Sequence, residues 1–265
     1  MNCRNIRFSG VEAGKKIKMG YNIVVKFKIT IIHSTKNENH YGVKAMLILA
    51  SASAGRKMLL EKLGLDFTVI PAHIDEEKYQ DPDPLQLVQK IAKAKAMTVV
   101  KILGARGGTS RQLADRADLS ALNSYLVIAA DSMVYFQDKT FGKPKSKSEA
   151  RKILQLLAGQ THEFMTGVYI FNTKSKKMYQ KAVKTTVIFR QLTQKWINEY
   201  VQTAAVTTHA GAYSIGDAMM KGKFKLIGSE TNVVGLPLEV LLPILRKEKI
   251  LFKDSVLKDF FRREH

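Results

Sequence analysis

Residues 46–64 read MLILASASAGRKMLLEKLG, and this stretch decides the fold class. Leu47 to Ala50 is a short apolar run with the length of a buried strand. Ser51 to Gly55 are small residues. Ser53 stands where a helix N-cap is wanted, and Gly64 where a helix C-terminus calls for a left-handed residue. A strand, a small-residue turn and a helix thus follow one another within nineteen positions. Outward from there the alternation continues. Phe67 to Pro71 reads as a second strand. Asp83-Pro84 starts a helix, with a cap residue followed by proline at the first helical position. That helix carries Leu85, Val88, Ile91, Ala92 and Val99 at helical spacing. Tyr125 to Ala130 reads as a buried strand ending at Asp131. Ser146 and Glu149 form a capping-box pattern for a helix to about Leu157. Phe164 to Phe171 and Tyr179 to Phe189 read as a hairpin joined by the polar turn Asn172 to Lys177. Thr193 begins another helix, and a last one runs from near Pro237 towards Arg246. Interleaved strands and helices of this kind predict an α/β or mixed α+β fold.

The 265 residues suffice for one large domain or two small ones with a real core. A single cysteine, Cys3, rules out an internal disulfide and suits a reducing compartment such as the cytoplasm. The net charge of +20 points to polyanionic partners or, equally, to a lysine-loaded solvated surface. No membrane span is expected: the apolar run Tyr21 to Ile32 is too short and is interrupted by Lys26 and Lys28. Residues 1–45 are basic and lack a helical period, so they read as an N-terminal extension ahead of a domain at 46–252. A chain beginning at Met46 is expected to keep whatever activity the domain has. Residues 104–124 read as an inserted polar stretch, and 253–265 as a basic tail.

Four places carry chemistry. The turn around Ser51, Ser53 and Arg56 offers backbone N–H groups, a helix N-terminus and a cation, which together suit a phosphate, although Ser-rich turns of this shape are also common without a ligand. Asp131, just past a strand, reads either as a metal-binding or water-activating carboxylate or as a cap. In Gly142-Lys143-Pro144 the flanking residues fix the backbone, so Lys143 reads either as a lysine aimed at a triphosphate or as an ordinary surface lysine, which is the commoner case. Asp75-Glu76-Glu77 is either a magnesium-binding pair or a solvated acidic turn. His73, His162 and His209 have no zinc spacing and read as structural. The segments 209–216 and 228–237 read as turns around a cleft, and neither matches a Walker loop or a dinucleotide fingerprint.

The order of these segments resembles the Maf family of nucleotide pyrophosphatases, from Met46 to about Ile250. The resemblance is carried by LASASAGRKMLLEKLG, HIDEE, AKAKA, AADSMV followed by FGKP, LLAGQTHEFMTGV, HAGAYSIG and NVVGLPLEVL. It implies an elongated, twisted mixed sheet flanked by helices, with two lobes and a central cleft. It also implies hydrolysis of a nucleoside triphosphate between the α and β phosphates, to a monophosphate and pyrophosphate, with a divalent cation, Mg²⁺ or Mn²⁺. By position, Asp131 is the expected general base or metal-linked carboxylate, and Glu76 assists with metal or water. Lys95, Lys143 and Arg56 hold the phosphates, and Ser51 and Ser53 line the phosphate turn.

Departures from the pattern concern base recognition. Gly55 stands where dTTP/UTP-type members have arginine and 7-methyl-GTP-type members tryptophan. Ser132 replaces a threonine or glutamine, and Gly216 a glutamine or glutamate. His209 replaces a lysine. Without an aromatic face or a carboxylate at these places, a pyrimidine triphosphate such as dTTP or UTP is the expected substrate, with broad specificity. The alternatives are 7-methyl-GTP or, in another class, a catalytically weak nucleic-acid-binding or division-regulating protein. Of other partners, a homodimer is the one expected; nucleic acid and membrane are not.

Overall fold

The computed structural model describes residues 45–105 and 124–253. The expected N-terminal extension up to residue 44, residues 106–123 of the expected insertion and the tail beyond Lys253 lie outside the described residues. The strands are β1 (Met46–Leu49), β2 (Phe67–Val69), β3 (Tyr125–Phe136), β4 (Lys139–Phe141), β5 (Thr161–Asn172), β6 (Met178–Phe189) and β7 (Phe224–Ile227). The helices are α1 (Ala54–Lys62), α2 (Pro84–Ala105), α3 (Lys147–Leu157), α4 (Gln194–Thr203), α5 (Glu230–Val234) and α6 (Leu238–Lys247). They build one mixed sheet in the order β2-β1-β3-β5-β6-β7, with β4 added on β3. The two contacts of β1 are parallel, and the remaining pairs are antiparallel. The mixed α/β class read from the sequence is the one observed.

Local signals explain the element ends. Ser53 accepts a long bond from the Arg56 N–H at 3.5 Å, and Gly64 adopts φ +66 just beyond α1. Asp83 accepts from the Leu85 N–H at 2.9 Å and so caps α2. Ser146 accepts from the Glu149 N–H, while Glu149 reaches back one residue further than a capping box requires, to the Lys145 N–H. The strand read as ending at Asp131 does not end there. β3 continues to Phe136, paired with β5 without a break from Leu126↔Asn172 to Tyr135↔Glu163. The polar Asp131 and Ser132 do not interrupt it, because each finds a polar partner within the fold. The second strand stops at Val69, short of Pro71, and β4, β7 and α5 were not read from the sequence.

The two long strands β3 and β5 join separate cores. Towards one end Ile128, Ala130, Val168 and Ile170 pack with α1 and α6, around Leu59, Leu60, Leu63 and Leu241. Towards the other end Val134 and Phe164 pack with α3 and α4, around Ile153, Leu157 and Ile197. On the opposite face α2 covers Val127, Ala129 and Met133. Each fully buried leucine in these cores contributes roughly 1.5–3 kcal/mol. Asp131, Ser132 and Thr166 lie at the seam, where neither core claims the strand.

Candidate active site

The seam is also a gap in the sheet. β1 pairs with Tyr125–Ile128 of β3 and β4 with Val134–Phe136. Between them, among the described residues, no strand pairs with this edge of Ala129–Met133. The Ser51–Ser53 turn leaves the carboxyl end of β1 on one side of the gap, and Gly142–Pro144 leaves β4 on the other. Ligands of α/β proteins collect at such carboxyl ends.

On the α2 face, Asp131 is 4% exposed and accepts from the Lys95 ammonium at 2.6 Å. The same ammonium pairs with Glu76 at 2.7 Å. Glu76 itself is half exposed, in the short turn of 3-10 helix Glu76–Lys78. Burial raises the pKa of Asp131. The Lys95 charge opposes the rise and the Glu76 charge adds to it. Burial prevails and the shift is upward, since one ammonium serves two carboxylates. The approach of Lys95 depends on Gly167, the β5 partner of Asp131. A Cβ there would overlap the Val88–Gln89 peptide of α2, so only glycine lets the helix come this close.

On the other face, Arg56 is 8% exposed in the first turn of α1. A cation there is opposed by the helix dipole, and burial works against its charge; Asp131 and Glu76 work for it. Three directed bonds hold it. Nε donates to the Gly235 carbonyl at 2.8 Å, Nη1 to Ser51 Oγ at 2.9 Å and Nη2 to Ser132 Oγ at 2.9 Å. Ser51 also accepts from the Ser53 N–H at 3.2 Å. The hydroxyls of Ser51 and Ser53 thus shape the turn and hold the arginine. Gly235, at φ +106, ends α5 in the left-handed conformation and so turns its carbonyl to Arg56.

Lys143 is exposed, and among the described residues no hydrogen bond or ion pair fixes its ammonium. Its pKa is lowered by desolvation first, then by repulsion from Arg56 and Lys95, against the attraction of Glu76 and Asp131. The neighbouring Lys145 pairs with Glu77 across the gap.

The structure therefore brings Glu76, Lys95, Asp131, Arg56, Ser51, Ser53, Ser132 and Lys143 to one gap. A Cβ on Gly216 would meet only Ser214 Oγ, at 3.8 Å. Gly55 faces no open pocket: a Cβ would lie 2.9 Å from the Val234 carbonyl oxygen of α5. His162 is buried, its pKa pushed down to about 4 by burial, and its Nε2 meets the Tyr213 hydroxyl at 2.9 Å, which fits the structural reading. Thr166, Gly167, Asn232 and Gly235 were not singled out from the sequence, although all lie within the quoted segments FMTGV and NVVGLP. No group of three or more potential metal-ligating side chains exists among the described residues, and no helix there is long and apolar enough to cross a membrane.

Residues 46–248 match the family described as Maf-like protein. The chain is 34% identical over 200 residues to a dTTP/UTP pyrophosphatase of Citrifermentans bemidjiense, covering 76% of this chain and 94% of that protein. It is 39% identical over 193 residues to the dTTP/UTP pyrophosphatase of a Geobacillus species, covering 72% and 92%. A third relative of the same name, from Acetivibrio thermocellus, is 34% identical over 212 residues, covering 80% and 98%. With the gap and its charged cluster formed by the same segments that carry the resemblance, the chain belongs to the Maf family.

Proposed function

We propose that this chain is a nucleoside triphosphate pyrophosphatase that hydrolyses the α–β anhydride of pyrimidine nucleotides, giving the monophosphate and pyrophosphate. One observation carries the reading: a buried carboxylate, Asp131, held by Lys95 beside a guanidinium fixed in three directions. The names of the relatives support dTTP and UTP as substrates.

In this reading Asp131 takes the proton of the attacking water. Its raised pKa brings its basicity closer to neutral pH, where a general base works best. Lys95 and Arg56 stabilise charge developing on the phosphate oxygens, and Lys143 follows the triphosphate from the open side. The carboxylates fit a divalent cation. Mg²⁺ is commonly held by one or two carboxylates together with substrate phosphates, and Lys95 takes only one oxygen of each, Asp131 Oδ1 and Glu76 Oε1. Such a cation, when bound, would polarise the anhydride and neutralise phosphate charge. A nucleotide substrate and a lone cysteine suit action in the cytoplasm.

At Gly55 α5 crowds out the arginine of dTTP/UTP-type members as much as the tryptophan of 7-methyl-GTP-type ones, so the preference for pyrimidines rests on the names of the relatives. The test is a competition among equal concentrations of dTTP, UTP, CTP and 7-methyl-GTP with Mg²⁺ or Mn²⁺. Pyrophosphate is read as phosphate after added inorganic pyrophosphatase. Earlier loss of dTTP and UTP is expected. Preference for 7-methyl-GTP would overturn the base assignment, and no pyrophosphate from any of the four would overturn the enzymatic one.

A further inference from the structure

We propose that Thr166 is a positioning residue which, through Ser132, orients the guanidinium of Arg56 for the reaction. The inference rests on the nucleotide-hydrolysing reading of the gap, but its geometry stands by itself. Thr166 and Ser132 are directly opposed on β5 and β3. Their hydroxyls meet at 2.9 Å, a cross-strand pair on the face where Arg56 lies.

The direction of each proton follows from chemistry. A guanidinium only donates, so Ser132 Oγ accepts from Arg56 Nη2. The Asn232 carbonyl only accepts, so Thr166 donates to it, at 3.0 Å. The contact between the two hydroxyls is then Ser132 donating to Thr166. A one-way chain results: Arg56 to Ser132, Ser132 to Thr166, Thr166 to the Asn232 carbonyl. Its far end is fixed, because the Asn232 amide donates to the Phe164 carbonyl at 3.0 Å and to Thr185 Oγ1 at 2.9 Å. The chain assigns Ser132 to the arginine rather than to a base, since its hydroxyl is engaged on both sides.

Thr166 is 0% exposed and touches no ligand space, so it acts only through this chain. Removing its hydroxyl leaves Ser132 without its acceptor and free to rotate. Arg56 keeps its bonds to Ser51 and Gly235, and so stays charged and in place while its outer nitrogen loses direction. A contact that matters most in the transition state is sensitive to such a loss of aim, which lowers kcat more than it raises KM.

The test compares Thr166→Val, which keeps the shape, with Thr166→Ser, which keeps the hydroxyl. Thr166→Val should lower kcat for dTTP by about 5- to 30-fold with KM within about twofold, and Thr166→Ser should recover to within about threefold of the wild type. In an Arg56→Lys background the Thr166→Val effect should vanish. The ¹⁵N–¹H signals of the Arg56 side chain give a second readout. They should be resolved in the wild type and in Thr166→Ser, and broadened by exchange in Thr166→Val. Unchanged kcat and unchanged Arg56 signals in Thr166→Val would overturn the proposal, as would an equal loss of kcat in the Arg56→Lys background. If the wild type released no pyrophosphate, the nucleotide reading would fall, and the Arg56 signals would still decide whether Thr166 orients the guanidinium.

Discussion

The start of α1 and the loop between β4 and α3 each bring one cation to the same two carboxylates, and they do so in opposite ways. Arg56 is buried and tied in three directions to β3, to the turn after β1 and to the end of α5. Lys143 is exposed and, among the described residues, tied to nothing. A fixed guanidinium presents charge where it is needed without reorganisation, which is what transition-state stabilisation demands. A loose ammonium on a stiff Gly-Lys-Pro backbone can follow a substrate as it enters and leaves. The difference teaches that the gap is preorganised on the α1 side and adaptable on the β4 side. It also explains why burial and the surrounding charges act on both cations, although only one is locked.

The harshest way to probe this comparison is to remove the carboxylate that both cations share. Asp131→Asn should cut pyrophosphate release by about 100- to 10,000-fold while the protein stays folded, as circular dichroism would check. Near wild-type turnover in that variant would remove Asp131 from its proposed role. Filling the close approach that lets α5 reach Arg56 should do less. Gly55→Ala places a Cβ 2.9 Å from a backbone oxygen, so thermal unfolding should reveal a loss of about 1–3 kcal/mol. Turnover should fall as the Gly235 carbonyl moves away from Arg56. Gly55→Arg, which restores the residue of the dTTP/UTP-type pattern, should lower activity further rather than raise it. A fully stable, more active Gly55→Arg would show that α5 yields freely.

The smallest effect concerns pH. Asp131 is raised, so its carboxylate is lost as pH falls through a value above the ordinary 3.8. Lys143 is lowered, so its ammonium is lost as pH rises through a value below the ordinary 10.5. The profile of kcat/KM should therefore be pinched from both sides. Lys143→Arg, which cannot lose its charge, should move only the alkaline limb upward. An alkaline limb that stays put in Lys143→Arg would assign it to another group.

Much of this was legible in the chain itself. The cap at Ser53, the left-handed Gly64 and the helix start at Asp83-Pro84 are local signals, and the structure repeats them. The hairpin of β5 and β6 was visible from two strand-like runs and the polar turn between them, although β5 begins three residues earlier, at Thr161 rather than Phe164. The passage of β3 through Asp131 was not legible, because what makes a buried carboxylate tolerable in mid-strand is Lys95, thirty-six residues away in the chain. Gly167 and Gly55 were opaque for a similar reason. Neither needs an unusual backbone, and the close helix that each permits comes from elsewhere in the sequence. Gly55 read as a base-recognition position, and in the structure it also lies against Val234 of α5.

The most direct test of the contrast between a locked and a free cation is to exchange them one at a time and measure pyrophosphate release from dTTP for Arg56→Lys and Lys143→Arg side by side. An ammonium cannot satisfy the Gly235 carbonyl, Ser51 and Ser132 in the plane they define, so Arg56→Lys should lose about 100-fold or more in kcat/KM. Lys143→Arg should stay within about fivefold of the wild type near neutral pH. Losses of similar size in the two variants, or a larger loss at Lys143, would contradict the account.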